Sequence, residues 1–147
     1  MMMVALLLAV QPTAAPSLDL FKPVVGSCWR TEFSSTMHDT HCFEAMYGGA
    51  HVRDRHEVQQ NGKTVYAGET IYSADGGELV FTYVNTLGGT GRGTVEPLTS
   101  GLKFAGSMRG SPGDKPQSVA GEWRFTSADS YQVRSEGSPV RTFRRVP

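Results

Sequence analysis

His51-Val52-Arg53-Asp54-Arg55-His56-Glu57-Val58-Gln59-Gln60-Asn61-Gly62-Lys63-Thr64-Val65-Tyr66 is the stretch that decides the fold. Asn and Gly both tolerate positive φ, and an Asn-Gly dipeptide between two strand-like runs is the strongest short-range hairpin signal a sequence carries. It joins a strand over Ala50–Gln59 to one over Thr64–Ser73. The same punctuation repeats outward. Toward the C-terminus, Asp75-Gly76-Gly77, Gly88-Gly89, Pro97–Gly101, the loop Gly110–Pro116, Ala128-Asp129 and Gly137-Ser138-Pro139 read as turns. They separate strands expected over Glu78–Asn85, Gly91–Glu96, Leu102–Met108, Ser118–Thr126, Ser130–Glu136 and Val140–Val146. Toward the N-terminus, Gly48-Gly49 breaks the chain, and two strands flank a polar turn region over Ser34–Asp39. Leu18–Lys22 reads as one helical turn ahead of Pro23.

Within Glu78–Asn85, Leu79, Phe81 and Tyr83 alternate with Val80, Thr82 and Val84, the period-2 pattern of a strand with one inward face. No helical periodicity intervenes between the strands, which excludes βαβ units. The expectation is therefore all-β: an antiparallel up-and-down meander of about ten strands. Closure into a barrel removes the exposed edges that a meander of this length would leave. One domain over 16–147 is expected from a chain of 147 residues.

Lys plus Arg and Asp plus Glu both number 14, so the formal net charge is zero. That balance argues against a nucleic-acid partner, which needs a basic face to displace counterions. Met1–Val10 is an unbroken apolar run followed by Pro12-Thr13-Ala14-Ala15. A short apolar segment before small residues reads as a secretory signal, here over 1–15, and points to a periplasmic or secreted protein. It is shorter than the roughly 20 residues a bilayer-spanning helix needs. No Lys or Arg precedes the run, and no Cys closes it as a lipoprotein anchor would require.

Cys28 and Cys42 are the only cysteines. In an oxidising compartment an even pair reads as a disulfide. A hairpin centred near Ser35 sets the two residues opposite each other, and closing such a loop stabilises by roughly 3 kcal/mol in the chain-entropy model. Two buried thiols are the next reading. A redox-active pair is the least favoured, because there is no Cys-x-x-Cys.

Val25-Gly26-Ser27-Cys28-Trp29-Arg30, after a short lead-in, resembles the start of calycin-like barrels, the lipocalin and fatty-acid-binding group. There a Gly and a Trp open the first strand, and the Trp packs across the barrel floor. The spacing here is Gly-x-x-Trp rather than Gly-x-Trp. With Arg141, Arg144 and Arg145 on the last strand, and with residues 48–56 similar to the second and third strands, the chain looks like the DUF1579-type, lipocalin-like small bacterial proteins of unknown function. The resemblance covers most of the chain after residue 20 and implies a barrel with an apolar-ligand pocket more readily than a reaction. One related barrel type binds haem through a His near its C-terminal end. No His follows His56 here, so that ligation is not carried over and no cofactor is expected.

The four histidines, His38, His41, His51 and His56, lie close together in the chain with Asp39 and Asp54 among them. Clustered imidazole and carboxylate invite a metal reading. However, His38 and His41 are three apart and His51 and His56 five apart, so each pair points to opposite faces of a strand. Local structure alone presents no two ligands together, and no metal site is expected. Arg53-Asp54-Arg55-His56 leaves two registers open. With Val52 and Val58 inward, Asp54 and His56 face the core as an acid/base pair or ligand anchor, too far apart for a direct bond and each needing another partner. In the opposite register Arg53 and Arg55 face inward and suit a carboxylate-bearing ligand. A structural salt-bridge ladder to Glu44 and Glu69 is the plainer alternative. No nucleophile motif accompanies them, and Gly89-Thr90-Gly91-Arg92-Gly93 lacks the helix and Lys of a phosphate loop. The leading reading is a module binding a small apolar or amphipathic ligand, with Trp29, Arg53, Arg55, His56, Tyr83 and Trp123 as candidate contacts. A cell-envelope interaction protein with a filled core is the alternative, followed by an enzyme using Asp54/His56 or Arg53/Arg55.

Overall fold

The computed structural model describes residues 17–147, so the expected signal over 1–15 lies outside the described residues. Ten antiparallel strands follow one another: β1 (Cys28–Glu32), β2 (Met37–Met46), β3 (His51–Gln60), β4 (Lys63–Asp75), β5 (Glu78–Asn85), β6 (Thr90–Leu98), β7 (Gly101–Arg109), β8 (Gln117–Ser127), β9 (Ser130–Ser135) and β10 (Arg141–Arg145). Each pairs with its sequence neighbours, and β1 pairs with β10, closing the barrel. The expected up-and-down meander is therefore what the chain forms. Asn61 (φ 51°) and Gly62 (φ 76°) both take the positive φ that the hairpin signal demanded. The largest departure is at β2, which begins at Met37 rather than after Asp39. Ser34 caps the shortened turn by accepting from the backbone N–H groups of Thr36 and Met37, so the ladder zips further than turn composition suggests.

Cys28 lies opposite Cys42 in the β1–β2 ladder, and the two are bridged. The hairpin register that sets them face to face is the one centred near Ser35.

One end of the barrel is packed shut. Leu18–Phe21 forms a single 3-10 turn capped by Ser17, whose hydroxyl accepts from the Asp19 N–H. The turn drops Phe21 into the barrel end against Tyr72 and Trp123, with ring centroids 4.3 and 6.4 Å away. Phe21 and Val24 are fully buried there, beside Leu79, Val95 and Leu102. Trp29, also buried, donates its indole N–H to the Val24 carbonyl at 3.1 Å, tying β1 to this plug. No helix of the described residues is long and apolar enough to cross a membrane.

Candidate functional site

The register of β2 against β3 creates the site. Phe43 and Val52 are buried, so period-2 alternation turns Asp39 and His41 inward from β2, and Asp54 and His56 inward from β3. His41 lies directly opposite His56, and Asp54 is diagonal to it, opposite Phe43. The imidazoles stack with centroids 4.7 Å apart and planes 19° from parallel.

A continuous polar chain runs through these groups. The Asp54 carboxylate sits 2.9 Å from His41 Nδ1 through both oxygens. His41 Nε2 lies 3.1 Å from Asp39 Oδ2, and the other Asp39 oxygen is 3.2 Å from His56 Nδ1. His56 Nε2 is 3.2 Å from the Tyr83 hydroxyl, which is 2.6 Å from the Tyr66 hydroxyl. The last link depends on a glycine. Gly68 on β4 lies opposite His56 on one side and Asn85 on the other. A Cβ at Gly68 would stand 2.5 Å from the Tyr83 hydroxyl and 2.6 Å from His56 Nε2, so only its absence lets Tyr83 reach across β4 to the ring.

Electrostatics follow from this arrangement. Burial disfavours a charged His41, but the adjacent Asp54 charge, with the hydrogen bonds to Asp39 and Asp54, outweighs it and pushes the imidazole up to about 10. His41 is then an imidazolium donating from both nitrogens. Burial likewise opposes ionisation of Asp39, yet the hydrogen bonds from His41 and His56 hold its carboxyl well below the usual carboxylate range. Burial raises Tyr72 and Tyr131, with the Asp54 charge adding to it. It also raises Tyr83, which further shares a hydrogen bond with Tyr66.

The cluster forms one wall of an interior cavity of about 480 Å³. Phe81, Phe104, Trp123, Tyr131 and Phe143 supply much of the apolar lining. The cavity reaches the surface at the end opposite the plug, where the exposed residues Phe33, Ser135, Ser138 and Pro139 line it. Arg141 stands at this mouth with its guanidinium 4.7 Å from the Phe33 ring centroid.

Among the residues that sequence reasoning proposed as ligand contacts, the fold brings His56, Tyr83 and Trp123 together around this cavity. Trp29 sits deeper, between the plug and Tyr131, and is not among the lining residues. Arg53 and Arg55 take the register that points them away from the interior: Arg53 forms an ion pair with Glu44, and Arg55 lies exposed opposite Glu69 in the ladder. Asp54 and His56 do not bond each other. Each finds the separate partner that their spacing required, Asp54 in His41 and His56 in Asp39 and Tyr83.

Sequence reasoning missed Asp39 and His41. Turn composition places Asp39 in the turn ahead of β2, and spacing along a single strand sets His41 only against His38. The usable signal was the cysteine pairing: once Cys28 faces Cys42, strand β2 must extend through Asp39, and alternation with Phe43 turns both side chains inward. His38 is left on the outer face, and His51 bonds the Ser73 hydroxyl at 2.7 Å near the plugged end.

No family model and no curated protein matches this chain. It is similar to the crystal structure of Rv2717c from M. tuberculosis, at 16% identity and a TM-score of 0.59, over 92% of this chain and 100% of that one, a likeness that shows the barrel fold and no more.

Proposed function

We propose that the chain is an exported, lipocalin-like binding protein that holds one small amphipathic molecule inside the barrel. The observation that carries this reading is the cavity of about 480 Å³, open at one end, with an aromatic lining and a single charged wall. Its volume falls in the range of about 300–1,000 Å³ typical of small-molecule pockets, which are mostly apolar with a few placed polar groups. An amphipathic ligand fits better than a plain hydrocarbon. A purely apolar occupant would cover the Asp39 carboxylate and leave its remaining lone pairs without a donor, a costly exchange. The ligand's apolar body rests on Phe104, Trp123 and Phe143, and its polar end meets the carboxylate–imidazole wall. Export is supported by the Cys28–Cys42 bridge together with the apolar run at Met1–Val10.

Native mass spectrometry of protein purified from its own host tests the reading, paired with displacement of a fluorescent apolar probe by amphipathic compounds. A retained small molecule, or probe binding that Trp123→Ala weakens and a filling substitution, Val133→Trp, abolishes, supports it. Clean apo protein that also fails to take up the probe overturns it.

A further inference from the structure

The two interior histidines share an orientation that ligand binding does not explain. Each has one ring nitrogen engaged from behind by protein: His41 Nδ1 by Asp54, and His56 Nε2 by Tyr83. Each aims its other nitrogen at the same carboxylate, His41 Nε2 at 3.1 Å and His56 Nδ1 at 3.2 Å from Asp39. That is the arrangement of a metal centre with its outer shell in place, in which a carboxylate or hydroxyl behind each imidazole fixes which nitrogen faces the ion.

We propose that Asp39, His41 and His56 bind one divalent transition-metal cation of the Zn²⁺ or Co²⁺ class. Asp54 and Tyr83 act as positioning residues, and a fourth coordination position faces the cavity.

The distances suit such an ion. Donor atoms at about 2.0–2.1 Å in a tetrahedral site lie roughly 3.3 Å from one another. The two imidazole–carboxylate separations are already 3.1 and 3.2 Å, and one donor atom from each of the three residues lies within 4.8 Å of the others. The two separations run to different Asp39 oxygens, Oδ2 for His41 and Oδ1 for His56, so a modest rotation of the carboxylate and of the half-buried imidazoles brings one oxygen and both nitrogens onto one ion. The donor set selects the class of cation. Two imidazoles with one carboxylate suit zinc and its first-row neighbours, whereas Mg²⁺ and Ca²⁺ prefer all-oxygen shells. Charge balances too: a dication with neutral imidazoles cancels the carboxylates of Asp39 and Asp54. On binding, the His41 proton facing Asp39 is given up to solvent and His56 keeps its proton on Nε2 facing Tyr83, since the ligating nitrogens must carry lone pairs. The donors stand on adjacent paired strands rather than on loops, so the barrel wall holds their spacing. Three protein donors leave one position open toward the cavity, as in zinc sites that exchange a ligand. The inference stands whether or not the barrel carries an amphipathic molecule.

The test uses untagged, chelator-stripped protein with no added ligand, titrated with Co²⁺ while the visible ligand-field spectrum is recorded, then challenged with Zn²⁺. The expected result is one Co²⁺ per chain, the intense bands of a four-coordinate ion, and displacement by Zn²⁺. His41→Ala and His56→Ala are expected to abolish the bands. Asp54→Asn, which leaves the three donors in place, is expected to weaken binding about 10–100-fold. His38→Ala and His51→Ala are expected to bind as the parent does. Because His41→Ala could unfold the barrel, the nitrogen-15 shifts of the parent's histidines are read with and without Zn²⁺. His41 Nε2 and His56 Nδ1 should move, and His38 and His51 should not. Absence of stoichiometric binding, binding lost with His38→Ala instead, or shifts confined to the outer histidines would each overturn the proposal. Ligand retention with no metal binding would overturn it while leaving the carrier reading intact.

Discussion

Replacing Asp54 by Asn removes the charge that holds the His41 imidazolium, and the consequence is a change in how folding stability depends on pH. His41 rises from an ordinary 6.5 to about 10 in the folded, metal-free protein. A folded value above the unfolded one gives stability that is whole below the unfolded value and lost as pH climbs through the folded one. The loss therefore falls between about pH 6.5 and 10. At about 1.4 kcal/mol for each tenfold change, the ceiling over that window is about 5 kcal/mol, with about 3 kcal/mol of it between roughly pH 7 and 9.5. With a urea slope of about 2 kcal/mol/M, the midpoint should fall by about 1.5 M across that interval. Urea unfolding followed by tryptophan fluorescence in chelator, at about pH 6, 7 and 9.5, measures it. The interval stops short of the ordinary tyrosine value of about 10, above which exposed phenols in the unfolded chain add their own slope. In Asp54→Asn the drop should shrink by at least half, because Asp39 alone remains to favour the imidazolium. A parent protein whose stability is level from about pH 7 to 9.5, or an Asp54→Asn variant with the parent's slope, refutes the reasoning.

Removing the bridge with Cys28→Ser and Cys42→Ser opens a loop of sequence separation 14 and should cost about 3 kcal/mol in denaturant unfolding. Less than about 1 kcal/mol lost would mean that the β1–β2 ladder already constrains the unfolded chain. Gly68→Ala places a methyl group against Tyr83 and His56 and should destabilise by about 1–3 kcal/mol while shifting the His56 ring resonances. Unchanged resonances would show that Tyr83 does not span β4. Of the five tyrosines, Tyr72, Tyr83 and Tyr131 should stay protonated until the barrel unfolds. An ultraviolet titration should therefore leave at least three tyrosines un-ionised in the native state, and four or five ionising reversibly would contradict the burial that raises these three.

Much of this molecule was legible in its sequence because the relevant signals are local. Asn61-Gly62 specifies its own hairpin, Gly76-Gly77 and Gly137 mark turns by their positive φ, and alternation in Glu78–Asn85 places Leu79, Phe81 and Tyr83 on the inner face. Closure of a long meander follows from the cost of open edges, and the Cys28–Cys42 pairing follows from the symmetry of one turn. The polar wall is different in kind. His41 meets His56 only because two strands pair in one register, where a slip of one residue would turn Asp54 outward and Arg53 inward. Asp39 joins them only because β2 zips past its expected start, and Tyr83 reaches His56 only because Gly68 offers no side chain in between. The sequence by itself determined an antiparallel meander of about ten strands and set Cys28 opposite Cys42, since turns and alternation depend on near neighbours. The tertiary structure decided which charged residues face inward and meet, because that depends on contacts between strands, which single-strand spacing cannot express.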